Sequence, residues 1–416
     1  MTKIRTRSTG RRHPEGSGSD PGDLLAPAGG SLPSRKSPGR LKFVQLLRRG
    51  AAVVCVALSL GGCADRDLPR ERGGEARAEK GVGAAADTIP LAERRGIAGR
   101  IVFVSERDGN AEVYSILPSG EGLRRLTRDP RADFPGPPAP DGRTLVVVSV
   151  REEGGGHVEQ LGLLPLDGGA LQPLGPASAR ARSPSWGPDG SWLAFESDRA
   201  SFRDVFRVGR DGGGLRRLTE DAAGSFEPEV SPDGAWIAFA SSRDGDAEVY
   251  VMRADGSDER RLTAFHRDDW APRWAPDGRT LAFLSAREGA DRVFLVGSDG
   301  TGLRKLSAAG DTGAARADRQ EADPAWSPEG ARVAHTLRTR DGGSRIRVAD
   351  IATGAVREVA GAAKAQQPAW SPDGRYLAFT ADADGDPELW IARADGSGAT
   401  RLTRSPGPDW LPRWVP

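Results

Sequence analysis

From residue 100 onward, short apolar runs alternate with breaks rich in Gly and Asp. Residues 225–263 show the pattern in full. Trp236-Ile237-Ala238-Phe239-Ala240-Ser241 is an apolar run of strand length, and Arg243-Asp244-Gly245-Asp246 is a turn. Glu248-Val249-Tyr250-Val251-Met252 is a second run, Ala254-Asp255-Gly256-Ser257 a second turn, and Arg260-Arg261-Leu262-Thr263 a short last run. A further extended segment, Ser225–Val230, comes first. It ends in Ser231-Pro232-Asp233-Gly234, which suits a type I turn with Pro at its second position and Gly at its fourth. Four short strands joined by tight turns make one antiparallel propeller blade.

The turn recurs as Ala139-Pro140-Asp141-Gly142, Gly187-Pro188-Asp189-Gly190, Ala275-Pro276-Asp277-Gly278, Ser327-Pro328-Glu329-Gly330 and Ser371-Pro372-Asp373-Gly374. From one acidic residue to the next the steps are 48, 44, 44, 52 and 44 residues. A strand-rich period of this size signals a β-propeller with one blade per repeat. Residues 100–127 hold three strands of a unit and lack the first. The C-terminus, Asp409-Trp410-Leu411-Pro412-Arg413-Trp414-Val415-Pro416, repeats Asp269 to Pro276 and supplies the missing strand. The expected fold is therefore all-β: a seven-bladed propeller over 99–416, closed by its C-terminal strand. Phe239 and Phe283, each after an Ala in a strand, are expected between adjacent blades.

Composition changes the picture mainly at the N-terminus. The 55 Gly and 31 Pro are accounted for by turns. Formal net charge is +1, yet residues 1–62 hold eleven Lys/Arg against three Asp/Glu, so the propeller is mildly acidic. Such a surface argues against nucleic acid, which needs a basic face. The two cysteines, Cys55 and Cys63, lie outside the repeats and leave no disulfide framework there. After Arg48-Arg49, the run Ala51 to Leu60 is too short to span a bilayer and suits a signal-peptide core. It ends in Leu60-Gly61-Gly62-Cys63, which resembles a bacterial lipobox and implies lipidation of Cys63. Residues 1–62 are thus expected to be a signal region with a long polar lead. Residues 63–98, charged and aperiodic, are expected to be a flexible tether. By the same resemblance, Ala64 lacks the Asp that would retain a lipoprotein at an inner membrane, implying the outer membrane where the source has two.

The full set of motifs is Pro-x-Trp-Ser-Pro-Asp-Gly, Ile/Leu-Ala-Phe, Arg-Asp-Gly-Asn/Asp-x-Glu-Val-Tyr, Ala-Asp-Gly-Ser and Arg-Leu-Thr. Residues 107–114 and 243–250 carry the third most completely. This set resembles the TolB-like β-propeller repeats, relatives of WD repeats, over 99–416. The resemblance implies an envelope location and work through protein contacts. Two features depart from TolB itself: seven units in place of six blades, and no room in 64–98 for its N-terminal α/β domain.

The chemistry favours binding over catalysis. No Gly-x-Ser-x-Gly elbow accompanies the repeats. His157, His266 and His335 fall in different units, and His335 stands where Phe recurs, as a packed core residue. Asp382-Ala383-Asp384-Gly385-Asp386 reads as an Asp-Gly turn; it lacks the later Glu of an EF-hand. No catalytic residue, metal or cofactor is expected. The segments leading into the innermost strands should meet at one channel mouth. They offer Glu227, Glu229, His266, Asp269, Trp270, Arg273, Asp323, Gln367, Trp410 and Arg413 to a protein or peptide partner. The long loop 308–320 sits there as well. The expected molecule is a monomeric, membrane-anchored binding or scaffolding module of the cell envelope. The alternative is a propeller hydrolase or lyase acting on a carbohydrate or lactone.

Overall fold

The computed structural model of the protein describes residues 88–153, 156–175, 180–306 and 319–416. The signal region, Cys63 and residues 308–318 of the long loop lie outside the described residues. Seven four-stranded antiparallel sheets form seven blades. Blade 5 is typical: Asp269–Trp274 is innermost, followed by Thr280–Ser285, Arg292–Gly297 and the two-residue outer strand Arg304–Lys305. The other innermost strands are Asp409–Val415 in blade 1, Ala132–Pro138 in blade 2, Ala181–Trp186 in blade 3, Ser225–Val230 in blade 4, Arg319–Trp326 in blade 6 and Gln366–Trp370 in blade 7.

Ring closure is as expected. Asp409–Val415 pairs with Arg100–Ser105, placing Trp414 opposite Ile101 and Asp409 opposite Ser105. Closure removes the free sheet edges that an open array would expose.

The motif residues hold each blade together. Thr263 Oγ1 donates to Glu248 and accepts the Val249 N–H, while Arg261 reaches the other Glu248 oxygen. Glu388 with Thr403 and Arg401, and Glu112 with Thr127 and Arg125, repeat this arrangement. A buried carboxylate is tolerated because every oxygen is paired. Between blades, the recurring Trp donates its indole N–H to a carbonyl of the preceding blade. Trp186 reaches Pro137, Trp274 reaches Glu229, Trp326 reaches Arg273 and Trp370 reaches Ala325, at 3.0–3.1 Å. Phe239 and Phe283 are fully buried. Phe239 packs with Trp192, Ala194 and Val205 of blade 3, at the expected interface.

Every innermost strand carries a β-bulge. At six of the seven bulges one residue has left-handed φ: Ser183, Glu227, Ala271, Asp323, Gln367 and Leu411, at +50 to +60°. None is glycine. Blade 2 has Pro135 at that place, and its ring forbids positive φ.

Residues 88–98, expected in the tether, are instead folded onto the ring. The helix Leu91–Arg95 lies between buried Ile89 and Ile97, both in the apolar cluster that joins blades 7 and 1. The Ile89 N–H bonds to Thr400 Oγ1 and the Gly398 carbonyl of blade 7. The Arg94 side chain reaches the Ser119 carbonyl of blade 1. This strap therefore bridges blades 7 and 1.

Candidate functional site

The bulges decide what faces the channel. A positive-φ residue turns its N–H sideways, and a side chain of the preceding blade captures it. Glu196 takes the Glu227 N–H at 2.6 Å, and Glu227 takes the Ala271 N–H at 2.9 Å. Thr336 takes the Gln367 N–H at 3.1 Å, and Gln367 takes the Leu411 N–H at 3.0 Å. Side chains of the innermost strands (Glu227, Gln367) and of the second strands (Glu196, Thr336) thus latch blade to blade beside the channel.

Charged side chains cluster on and beside the channel wall in blades 2 to 5. Glu159 pairs with Arg182 at 2.7 Å, and Arg182 and Arg203 flank Glu196 at 3.5 and 3.9 Å. Arg273 pairs with Glu229 at 3.2 Å, and Glu229 also accepts the Trp274 N–H. Burial pushes the carboxyls of Glu159, Glu196 and Glu229 up. Glu227 rises to about 7: desolvation dominates, Arg273 opposes it, and the neighbouring Glu196 adds to it. The Arg182–Glu196–Arg203 end opens into a cavity of about 200 Å3. In blades 6 and 7 the corresponding wall mixes Asp323, 3.7 Å from Arg338, with neutral Thr336, Gln367 and Thr380. Thr336 bonds Asp323, and Thr380 bonds Gln367.

The sequence-derived candidates fall into three groups. Glu227, Glu229, Arg273, Asp323, Gln367 and Arg413 lie on the innermost strands and run down the channel wall, where a single mouth was expected. His266 is exposed on the loop before blade 5, beside Phe265. Asp269, Trp270 and Trp410 belong to the framework. Asp269 is fully buried, paired with Arg287 at 2.7 Å, and pushed up to about 6, mainly by burial. Trp270 is half-buried against two apolar clusters. Trp410 is 1% exposed and packs on Phe134 at 5.7 Å, which leaves it no face for a ligand. His335 is buried beside Glu321, as its Phe-like place implied. Asp382 and Asp384 are occupied by Lys364 and Arg401. Among the described residues, no three His, Cys, Asp or Glu side chains converge on a possible metal position. No described helix is long and apolar enough to cross a membrane. Arg182, Glu196 and Arg203, all of blade 3, and Glu159 of blade 2 were missed because they lie on different segments spread along the sequence; only registering the repeats on one another would have grouped them.

Comparison with known proteins agrees with this architecture. Residues 203–318 match the Tricorn protease N-terminal beta propeller domain, and residues 314–416 match the TolB beta propeller domain. No curated protein matches the chain. TolB from Acinetobacter baumannii is 17% identical with a TM-score of 0.50, over 82% of this chain and 89% of its own. A puromycin-hydrolysing peptidase of Mycobacterium tuberculosis is 18% identical with a TM-score of 0.57, over 76% of this chain and 55% of its own. An oligogalacturonate lyase from Vibrio parahaemolyticus is 14% identical with a TM-score of 0.56, over 74% of this chain and 88% of its own. At such identity the structural likenesses establish the fold, which hosts different activities. The two matched domain models together span residues 203–416, and their propeller repeats agree with the seven-bladed ring and with the TolB-like motifs.

Proposed function

We propose that the protein is an exported, lipid-anchored propeller of the cell envelope that binds a protein or peptide partner along its channel wall. One observation carries this reading: the wall keeps charges that the fold does not need. Gln367 latches the next blade with a neutral amide, and Glu227 makes the same latch with a buried carboxylate. Keeping a charge against its desolvation cost, in a concave site, marks a functional surface. Beside it Arg273 and Glu229 are part-exposed, with 41% and 25% of their side chains accessible, so a partner's polar groups can reach them. The loops on the Asp269 side of the ring add exposed Phe202 and Phe265 as apolar anchors. The lipobox at Cys63 and the family resemblance support the envelope location. Nothing in this reading calls for catalysis.

The test is affinity capture from envelope extract by wild-type protein, by Glu229→Ala/Arg273→Ala, and by Cys63→Ala. The expected result is a partner retained by wild type and lost by the double variant, with Cys63→Ala shifted to the soluble exported fraction. Equal capture by the double variant removes the channel reading. Unchanged fractionation of Cys63→Ala removes the anchor.

A further inference from the structure

On the opposite face, where the Pro-Asp-Gly turns lie, the strap and blades 6 and 7 border a cavity of about 310 Å3. Arg332, Arg375 and Arg393 line it, against Glu93 and Asp395. Both acids are already engaged. Glu93, on the strap, accepts two bonds from Arg393 at 2.9 and 2.7 Å and one from the Tyr376 hydroxyl at 3.0 Å. Asp395 caps its own turn through the N–H and hydroxyl of Ser397. Arg332 is held over the Trp370 ring by Glu329.

Arg375 is different. Its guanidinium meets no carboxylate within ion-pair distance among the described residues; it lies 5.7 Å from the Tyr376 ring and acts on Glu93 only through longer-range charge. The cavity therefore shows two carboxylate positions. One, the fork of Arg393 with the Tyr376 hydroxyl, holds Glu93 in the bidentate geometry that guanidinium favours. The other, at Arg375, has no acid in direct contact among the described residues. Glu93 keeps 32% of its side chain exposed, so its pair with Arg393 is screened by water and open to exchange. The space admits the side chains of an extended segment and excludes a folded domain.

We propose that this cavity binds an acidic peptide segment of a partner, with Glu93 as its built-in competitor. One partner carboxylate pairs with Arg375; a second displaces Glu93 from Arg393 and Tyr376. Losing Glu93 loosens the strap, because that pair is its main charged tie to blade 7. The site is separate from the channel wall, so the two readings stand or fall apart.

The probe is a hexaglutamate peptide, titrated calorimetrically into the protein at low ionic strength. Arg375→Ala changes an exposed side chain and is expected to bind roughly tenfold more weakly, whereas Glu93→Gln is expected to bind several-fold more tightly than wild type. The bound peptide should also speed tryptic cleavage after Arg94, whose side chain is now held by the Ser119 carbonyl. No binding, binding indifferent to both substitutions, or weaker binding by Glu93→Gln overturns the proposal. So does the same dependence on Arg375 and Glu93 seen only with anionic phospholipid vesicles, which would make the ligand a membrane surface.

Discussion

Glu227 and Gln367 occupy the same bulge in two blades and do the same mechanical work with different chemistry. That makes the cost of the charge measurable. Glu227 faces Glu196 and Arg203 of blade 3 and Arg273 of blade 5, and its carboxyl is raised from 4.5 to about 7. Below about 4.5, folded and unfolded chains both hold the proton. Between 4.5 and 7 only the folded chain keeps it, so stability falls as pH rises and the loss is complete above 7. Glu227→Gln removes that loss while keeping an oxygen for the Ala271 N–H. The variant should melt higher than wild type at pH 8, by on the order of 2 kcal/mol, and close to wild type near pH 4.5. Melting curves at the two pH values decide it; a variant less stable at pH 8 would show that the latch requires the carboxylate.

At the scale of the strand, the bulge is where reading the sequence stopped working. Simple alternation puts Trp410 and Trp414 on one face. The extra residue at Leu411 sends Trp410 toward Phe134 of blade 2 and Trp414 toward Tyr376 of blade 7. Trp410 therefore read as a mouth residue while being core. The bulge leaves no signature because Ser, Glu, Ala, Asp, Gln and Leu take the left-handed position and no glycine marks it. The blades, by contrast, were legible: their turns recur every 44 to 52 residues, and blades 1, 4 and 7 repeat the same Glu, Arg and Thr latch. The strap was not, since Ile89 and Ile97 are isolated apolar residues in a polar stretch. The strained position makes an unusual expectation. Ala271→Gly, inside a buried strand, should be neutral or stabilising by up to about 1 kcal/mol, because it relieves positive φ at a residue with a Cβ. Ala240→Gly, in an ordinary strand position of blade 4, should cost roughly 1 kcal/mol. Denaturant midpoints of the two variants make the comparison. A loss at 271 as large as at 240 would mean that the bulge carries no strain.

For the whole molecule, the weight falls on the closing seam inside blade 1. There the sheet is completed by a strand more than 300 residues away in sequence, through Trp414 against Ile101 and Asp409 against Ser105. Arg107 crosses the same joint to Asp409 at 2.7 Å. Deleting residues 407–416 removes two buried Trp side chains, each worth on the order of 2–3 kcal/mol, and bares the edge of Arg100–Ser105. Against a usual margin of about 5–15 kcal/mol, the truncated protein should lose its cooperative melt and aggregate. Light scattering during a thermal ramp measures this. A soluble variant with an unchanged midpoint would show that the closing strand is dispensable.

The four indole latches run one way round, blades 3, 5, 6 and 7 each reaching back to the one before, and the closing strand leaves no blade terminal. An open array of repeats frays from its ends, because the last repeat has only one neighbour to hold it. This ring offers no such end. Amide protons on the inner strands of all seven blades should exchange with solvent at one shared rate, that of opening the whole circle. In a linear stack of the same repeats, protection would fall off toward both ends.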